Sequence, residues 1–225
     1  MPRLWSGVFV AVLAVLFAAL ESQEVQGQVF RIVPQVGLHM PVNDFGELSA
    51  EGADGAVEFG RKSSTLALGV AGEVDAGDLP FGVRATVTYG TSAPVSYVTE
   101  ECPECRTRGD LWVATATGVF RPLPRLLVAR PYVLAGGGFR WFGFDQSELA
   151  GDGFEGILRD QARAVAHLGG GLDVTRGNLA GIFEVTGVVG RFEPGGGRRN
   201  GETVPAGSRR TLTDIFVTVG LSFDL

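Results

Sequence analysis

Ionisable residues recur at alternate positions within apolar runs of this sequence, and this spacing predicts that they share one face of β-strands. Counted along those strands, the ionisable side chains on inward positions are Arg31, His39, Glu73, Arg84, His167, Asp173, Glu184 and Asp214. Charges inside a closed structure need partners, so we predict a polar network that neutralises itself and fills the interior. Tight hairpin turns would bring Glu73 near Arg84, and His167 near Glu184, as diagonal cross-strand neighbours.

Only two histidines could serve as a general base in nucleophilic catalysis. His39 and His167 both fall on inward positions, and neither lies in a Gly-x-Ser-x-Gly turn or beside a clear serine nucleophile. The glycine-rich segment 195–199 (GGGRR) lacks the strand-to-helix context of a phosphate loop. We therefore predict no catalytic residues and no cofactor.

Two cysteines form a Cys-x-x-Cys motif in a polar segment. Cys102 and Cys105 have no second cysteine pair and no histidine nearby, although neighbouring glutamates could add oxygen ligands. A redox site would need a helix that lowers a cysteine pKa, and no helix is predicted there. We predict a disulfide that closes a small loop, and no metal site.

Composition restricts the class of protein. Of the 225 residues 34 are glycine and 20% are charged, which favours a single β-rich domain over a helical or disordered chain. The formal net charge is -6, and no Lys/Arg cluster is interleaved with aromatic residues. Nucleic acid is therefore not an expected partner.

The N-terminus has the organisation of a secretory signal. Arg3 precedes an uncharged apolar stretch from Leu4 to Leu20, and small residues near Val25 and Gly27 offer a cleavage point. An uncleaved anchor is the alternative, but the stretch is at the short end of the ~17–25 residues that span a membrane. We predict a signal peptide over residues 1–27 and one domain over residues 28–225.

Alternating apolar and polar runs of strand length occupy the rest of the chain. Eight strands are predicted near Val29–Met40, Ser63–Val74, Phe81–Gly90, Leu111–Arg121, Arg130–Phe142, Arg163–Val174, Leu179–Arg191 and Arg210–Leu225. Long Gly-rich connections (41–62, 91–110, 143–162 and 192–209) alternate with tight turns (75–80, 122–129 and 175–178). This rhythm predicts an all-β fold, an eight-stranded antiparallel up-and-down transmembrane β-barrel.

The strand faces follow from parity. Leu68, Val87, Leu172 and Val219 are predicted to contact lipid on the outside, whereas a water-soluble barrel would gather them at its centre. In segments 111–121 and 130–142, apolar and polar residues do not separate into odd and even positions, so the sequence does not decide which residues face inward. Aromatic residues are expected to anchor strand ends at the membrane interfaces: Phe30, Phe81, Tyr89, Tyr132, Trp141 and Phe223.

The chain resembles the small outer-membrane β-barrel proteins of the OmpA/OmpX type. The resemblance is carried by the eight amphipathic runs, by PYVLAGGGF (131–139) and by the closing VTVGLSFDL (217–225). It implies that the last strand carries a signal for the barrel-assembly machinery, on Val217, Val219, Leu221, Phe223 and Leu225. The aromatic residue of this signal is usually terminal, and here Phe223 stands two residues before the end.

These observations predict an integral protein of the cell outer membrane with a structural or surface-interaction role. Its expected partners are outer-membrane lipid and lipopolysaccharide, the latter through Arg198, Arg199, Arg209 and Arg210, together with an extracellular ligand bound by the loops. Two alternatives remain: a narrow passive pore for small solutes, and a secreted lipocalin-like binder of a hydrophobic ligand.

Overall fold

The computed structural model describes most of the predicted domain. The described residues are 29–49, 56–61, 63–76, 79–97, 105–123, 129–145, 154–155, 158–176, 179–193, 195, 197–199, 202–204 and 209–224. The predicted signal peptide, Cys102 and Leu225 lie outside them. None of the described residues belongs to a helix long and apolar enough to cross a membrane.

The described secondary structure consists of strands. They are β1 (Val29–Pro41), β2 (Gly46–Ser49), β3 (Ala56–Gly60), β4 (Thr65–Asp75), β5 (Phe81–Tyr97), β6 (Cys105–Phe120), β7 (Ala129–Phe144), β8 (Phe154–Glu155), β9 (Gln161–Arg176), β10 (Leu179–Phe192), β11 (Gly197–Arg199), β12 (Glu202–Val204) and β13 (Arg210–Asp224).

The eight long strands close into one antiparallel barrel. Around it the order is β1, β4, β5, β6, β7, β9, β10 and β13, and β13 pairs again with β1. The short strands lie in the long connections: β2 and β3 form a hairpin joined to β5, and β8, β11 and β12 form a separate small sheet. The predicted fold class is confirmed.

One long connection is shorter than predicted. The segment 91–110 was expected to be a loop, but β5 continues to Tyr97, β6 begins at Cys105, and the two strands pair over this extension. The register shifts between Gly90 and Ala93, as at a β-bulge. The extra residue on β5 shifts the alternation of the two faces at this point.

The aliphatic side chains face outward. Leu68, Leu172 and Val219 are 45%, 43% and 52% exposed, and Val87 is half-buried. The water-soluble, lipocalin-like alternative is therefore wrong, because it requires these residues at the centre. The structure also settles the facing of the two segments that the sequence left open. In β6, the odd-numbered residues of the segment 111–119 are buried. In β7, the buried residues are even-numbered and include Tyr132, Leu134, Arg140 and Phe142.

Aromatic residues form two outward levels on the barrel. Phe81 packs on Phe120 with ring centroids 5.0 Å apart, and Tyr89 packs on Trp112 at 4.6 Å. The levels are separated by eight residues on both strands, about 27 Å along a strand. At a tilt of about 40° this corresponds to about 21 Å across, close to the ~25 Å band of outer-membrane barrels. The prediction for Tyr132 is wrong, since its side chain is 2% exposed inside the barrel.

Candidate functional site

The barrel interior holds two ionic clusters near its opposite ends. The inner cluster, at the end where tight turns join the strands, comprises Arg31, Glu73, Asp75, Arg84, Arg121, Tyr132, Asp173 and Glu184. The outer cluster, at the end with the long connections, comprises His39, Arg61, Arg140 and Asp214. Every member of both clusters is buried, and the most exposed, Arg31, is 7% exposed.

Glu73 is the centre of the inner cluster. Its Oε2 accepts a hydrogen bond from Arg84 Nε at 2.7 Å, and its Oε1 accepts one from Arg121 Nη2. Arg31 Nη1 lies 3.8 Å from the same Oε1. Three guanidinium groups around one carboxylate fulfil the requirement that a buried charge be both paired and hydrogen-bonded.

Three further carboxylates complete the inner cluster. Asp75 accepts a hydrogen bond from Arg121 Nη1 at 2.9 Å, and Asp173 accepts one from Arg31 Nη1 at 3.1 Å. Glu184 accepts hydrogen bonds from Arg84 Nη1 and, at 2.7 Å, from the Tyr132 hydroxyl.

The charges of the inner cluster balance when the neighbouring Arg130 is counted with it. Four carboxylates face three arginines within the cluster, and Arg130, also buried, stands opposite Asp173 in the strand register. The Tyr132 ring lies under the Arg84 and Arg121 guanidinium carbons, at 5.0 and 5.3 Å from its centroid, and adds cation–π contacts. The inner cluster is thus a neutral, interlocked plug.

The outer cluster is built around Asp214. Its Oδ2 accepts a hydrogen bond from Arg140 Nη1 at 2.6 Å, and its Oδ1 accepts one from Arg61 Nη2. His39 Nε2 lies 2.9 Å from Oδ1, and His39 Nδ1 lies 3.3 Å from Thr65 Oγ1. This hydroxyl–imidazole–carboxylate line resembles a catalytic triad, but His39 is 1% exposed and stacks on Phe216, so the contacts hold the ring in place.

A connection between two barrel strands covers the outer cluster. Residues 42–49 and 56–61, called the lid here, insert Phe45 and Phe59 into the apolar cluster formed with Phe142, Phe144, Phe192 and Leu212. Phe45 contacts Phe142, Phe144 and Phe192 with ring centroids 4.5 to 5.5 Å apart. Arg61 ends the lid and reaches Asp214 through this apolar layer.

Hydrogen bonds attach the start of the lid to the last strand. Val42 N donates to Thr213 O at 3.0 Å, and Asn43 bridges the backbone of Thr211 and Thr213. Within the lid, Phe45 N donates to Phe59 O and Arg61 N donates to Asp44 Oδ1.

Between the two clusters lies a cavity of about 10 Å³, the room of roughly one water molecule. Five threonines line it, together with Gln35, Val113, His167, Glu184, Val188 and Phe216. The side chains of the two clusters lie on either side of this cavity. No group of three or more His, Cys, Asp or Glu that could hold a metal ion occurs in the described part of the chain.

All eight residues predicted for the lumen lie inside the barrel, and seven of them belong to the two clusters. Arg31, Glu73, Arg84, Asp173 and Glu184 are in the inner cluster, His39 and Asp214 are in the outer cluster, and His167 lies outside both. Glu73 and Arg84 are directly opposite in the register and not diagonal. The predicted contact of His167 with Glu184 is wrong: His167 stands opposite Val188 and bonds Thr115 Oγ1 at 2.9 Å.

The cause of that error is the length of the turn. Pairing continues to Arg176 and Leu179, which leaves two connecting residues where four were predicted. Two residues fewer move the register by two, so His167 keeps its inward face but changes its neighbours.

Six buried residues of the interior were missed from sequence: Arg61, Asp75, Arg121, Arg130, Tyr132 and Arg140. Arg61 and Asp75 were assigned to connections, and Arg121 was placed at a strand end. Arg130, Tyr132 and Arg140 lie on the strand whose parity stayed open, and their common even numbering was the signal that identifies its inward face.

The remaining predicted residues lie on the outside or beyond the barrel. Cys105 begins β6 opposite Tyr97, and the disulfide with Cys102 stays a prediction. Arg198 and Arg199 lie in β11, whereas Arg209 and Arg210 are exposed and Arg209 pairs with Glu193. On β13, Val219, Leu221 and Phe223 are exposed outward, and Val217 is half-buried.

Comparison with solved structures finds the same fold in outer-membrane proteins. The chain is similar to the outer membrane protein OprG from Pseudomonas aeruginosa, with a TM-score of 0.58, 16% identity, and coverage of 88% of this chain and 96% of OprG. It is also similar to Neisserial surface protein A, with a TM-score of 0.50, 10% identity, and coverage of 88% and 99%. No family model and no curated protein matches the sequence.

Proposed function

We propose that this protein is an integral barrel of the cell outer membrane whose lumen is a plug and whose interactions are made by its outer surface. The outward aliphatic residues, the two aromatic levels and the fold shared with OprG support the membrane location. One observation carries the rest of the proposal: two ionic clusters and an apolar cap fill the interior, with room between them for about one water.

Planar-bilayer conductance of the purified, refolded protein tests the plug. We expect no steady conductance from a preparation whose migration on a gel changes on boiling, because that change shows a closed barrel. A steady conductance from the same folded preparation would instead establish the narrow pore. Fractionation of cells into inner and outer membranes tests the location.

Catalysis is not part of the proposed function. The only hydroxyl–imidazole–carboxylate line in the described residues ends at Asp214, which is 0% exposed and paired with two arginines. A hydrolase needs its nucleophile beside a space for substrate. Assay of the folded protein with ester substrates should therefore give no turnover above that of the boiled sample.

The last strand is proposed to carry the signal for the barrel-assembly machinery. Val217, Val219, Leu221 and Phe223 share the outward face of β13, where a partner protein can reach them before the barrel closes. Phe223→Ser should lower the amount of heat-modifiable protein in the outer membrane. Phe183→Ser is the control, since Phe183 is equally exposed (47% against 42%) on a neighbouring strand. Equal losses in the two variants would contradict the proposal that Phe223 belongs to an assembly signal.

Lipopolysaccharide is the proposed lipid partner of the arginines at the outer end. Arg210 and Arg209 are exposed there, and guanidinium groups bind phosphate in a bidentate manner. Replacement of Arg198, Arg199, Arg209 and Arg210 by Gln should lower the lipopolysaccharide that co-purifies, while Arg163→Gln at the rim should not. Unchanged co-purification would remove the proposal.

A further inference from the structure

Pro34 interrupts the pairing between β1 and β13, the two strands that close the barrel along what is called the closing seam here. The pairs on both sides of Pro34 keep one register, yet the pairing with β13 omits Val33 and Pro34. On the opposite edge of β1, the same two residues pair with Ala71 and Val70 of β4. The interruption is therefore confined to the closing seam.

The N–H group that proline lacks accounts for this interruption. The register places Pro34 opposite Leu221, and proline cannot donate a hydrogen bond to the Leu221 carbonyl. Because the pairs with β4 are complete, the absent donor belongs on the β13 side. Pro34 and Leu221 are both exposed on the lipid-facing side, where a carbonyl without a donor costs free energy. The closing seam is therefore weak at this point.

The other seams of the described barrel are more complete. Pairing is uninterrupted in six of the other seven. The seventh, between β5 and β6, shifts its register between Gly90 and Ala93, where the extension of these strands begins. Along the closing seam, seven pairs lie on the outer side of Pro34 and two on its inner side. The short inner stretch is thus the part of the described wall with the weakest pairing.

Two polar side chains beside the interruption also lack partners. Gln35 follows Pro34 on β1, and its side chain is buried inside the barrel. Ser222 follows Leu221 on β13 and is buried as well. Gln35 Nε2 and Ser222 Oγ have no hydrogen-bond partner among the described residues, and they are the only such buried side-chain atoms there that do not belong to arginine. A buried polar atom without a partner destabilises the closed state.

From the lost pair and these three polar groups we infer that the closing seam opens from Pro34 to its inner end while the remaining seams stay paired. Such a local opening costs less free energy than global unfolding, because few bonds break. Water that enters the opened stretch forms hydrogen bonds with the Leu221 carbonyl, Gln35 and Ser222, which lowers the cost further.

The outer end of the closing seam is fastened, which limits the opening to the inner part. His39 Nε2 of β1 lies 2.9 Å from Asp214 Oδ1 of β13, and Val42 N donates to Thr213 O at 3.0 Å. At the inner end, three ion pairs of Arg31 join β1 to β4 and β9, so these pairs persist when β13 moves away from β1.

Amide hydrogen exchange along β13 tests the inference, because this one strand contains both the seam and its control. The N–H groups of alternate residues point to opposite sides of a strand. Leu221 and Phe223 therefore point to β1, whereas Gly220 and Ser222 point to β10 at the same depth. The folded protein in detergent is exchanged in deuterated water and followed residue by residue by NMR. We expect the two amides on the β1 side to exchange about tenfold faster or more, as for loss of one hydrogen bond.

Pro34→Val supplies the missing donor and keeps an apolar side chain toward the lipid. Exchange at Leu221 should slow about tenfold in this variant. Pro131→Val is the matched control, since Pro131 also lies in a barrel strand and pairs with Leu172 of β9. Its absent donor therefore points past the end of β6 at Phe120 and costs no pair. Exchange at Leu221 should be unchanged in the control.

Equal exchange on the two sides of β13 in the wild-type protein would overturn the inference, as would a Leu221 amide that Pro34→Val does not protect. If Pro34→Val yields no folded barrel, Pro34→Ala takes its place, because it supplies the same donor with a smaller side chain. The alternation along wild-type β13 needs no variant. None of these results depends on conductance, so the seam and the plug are tested separately.

Discussion

The inner and outer clusters solve the problem of buried charge in different ways. The inner cluster takes its four carboxylates and its three arginines from barrel strands or from residues directly adjoining them, and with the neighbouring Arg130 its charges balance. The outer cluster takes Arg61 from a connection and has one carboxylate for two arginines. The inner cluster therefore forms whenever the barrel closes, whereas the outer cluster also requires that the lid be in place.

This difference separates a cluster that depends only on the barrel wall from one that also depends on the lid. A balanced network on the wall has one good arrangement, because every charge loses its partner if a strand moves. The outer cluster has two satisfactory arrangements, since Asp214 keeps two partners when Arg61 is removed. We expect substitutions in the inner cluster to affect folding, and substitutions of lid residues to affect mainly the outer end.

The largest effect is expected at Gly138 of β7, where the barrel wall leaves no room for a side chain. A Cβ at Gly138 would overlap Ala114 O and lie 2.7 Å from Thr115 Cα, so Gly138→Ala forces the backbones of β7 and β6 apart. We expect little or no heat-modifiable barrel from this variant. Gly143→Ala on the same strand is the control, because nothing lies within 4 Å of its Cβ. Normal folding of Gly138→Ala would contradict the tight closure.

The next effect concerns the centre of the inner cluster. Glu73→Gln removes the carboxylate that Arg84 and Arg121 bond and that Arg31 approaches, and should cost about 5 kcal/mol, the upper end for a broken buried ion pair. Urea unfolding in lipid vesicles, followed by gel migration, measures it.

The matched control for that substitution lies at the outer rim. Glu193→Gln makes the same chemical change in a carboxylate that is 31% exposed and pairs with Arg163 and Arg209. It should cost less than about 1 kcal/mol. Similar losses in the two variants would show that the inner cluster contributes no more than a surface pair.

Substitutions of Asp214 and of Arg61 in the outer cluster should lower the free energy of unfolding by unequal amounts. Asp214→Asn leaves two buried arginines without a carboxylate and should cost about 3–4 kcal/mol. Arg61→Gln should cost less than about 1 kcal/mol, because Asp214 still pairs with Arg140. The same urea unfolding assay compares them. Equal costs would mean that Arg61 is as necessary to the barrel as Asp214, and the distinction between lid and wall would fail.

Much of this architecture can be predicted from parity along the sequence. Leu66, Leu68 and Val70 face lipid while Ala67, Ala71 and Glu73 face inward, because hydrocarbon on one side and packed polar groups on the other select opposite residue types. An error of two residues in the strand register changes the cross-strand neighbour of a residue but not the face of the sheet on which it lies. This is why His167 was placed on the correct face with the wrong neighbour.

The partners within the clusters could not be predicted in the same way. Pairing across a barrel depends on turn length and on strand ends, which is where Asp75 and Arg121 lie, and on the path of a connection, which brings in Arg61. The Arg84–Glu184 contact joins strands that are not neighbours in the barrel, so no hairpin rule reaches it.

The smallest expected effect tests whether Tyr132 belongs to the inner cluster by its hydroxyl or only by its ring. Tyr132→Phe keeps the ring beneath Arg84 and Arg121 and removes the 2.7 Å hydrogen bond to Glu184. Since Glu184 retains Arg84, the loss should be about 1.5 kcal/mol in the free energy of unfolding. Tyr89→Phe is the control, because its hydroxyl bonds Asp110 on the half-buried outer side of the wall and should contribute less. A loss for Tyr132→Phe no greater than that for Tyr89→Phe would assign the contribution of Tyr132 to its ring alone, and would leave the balance of the inner cluster to its arginines and carboxylates.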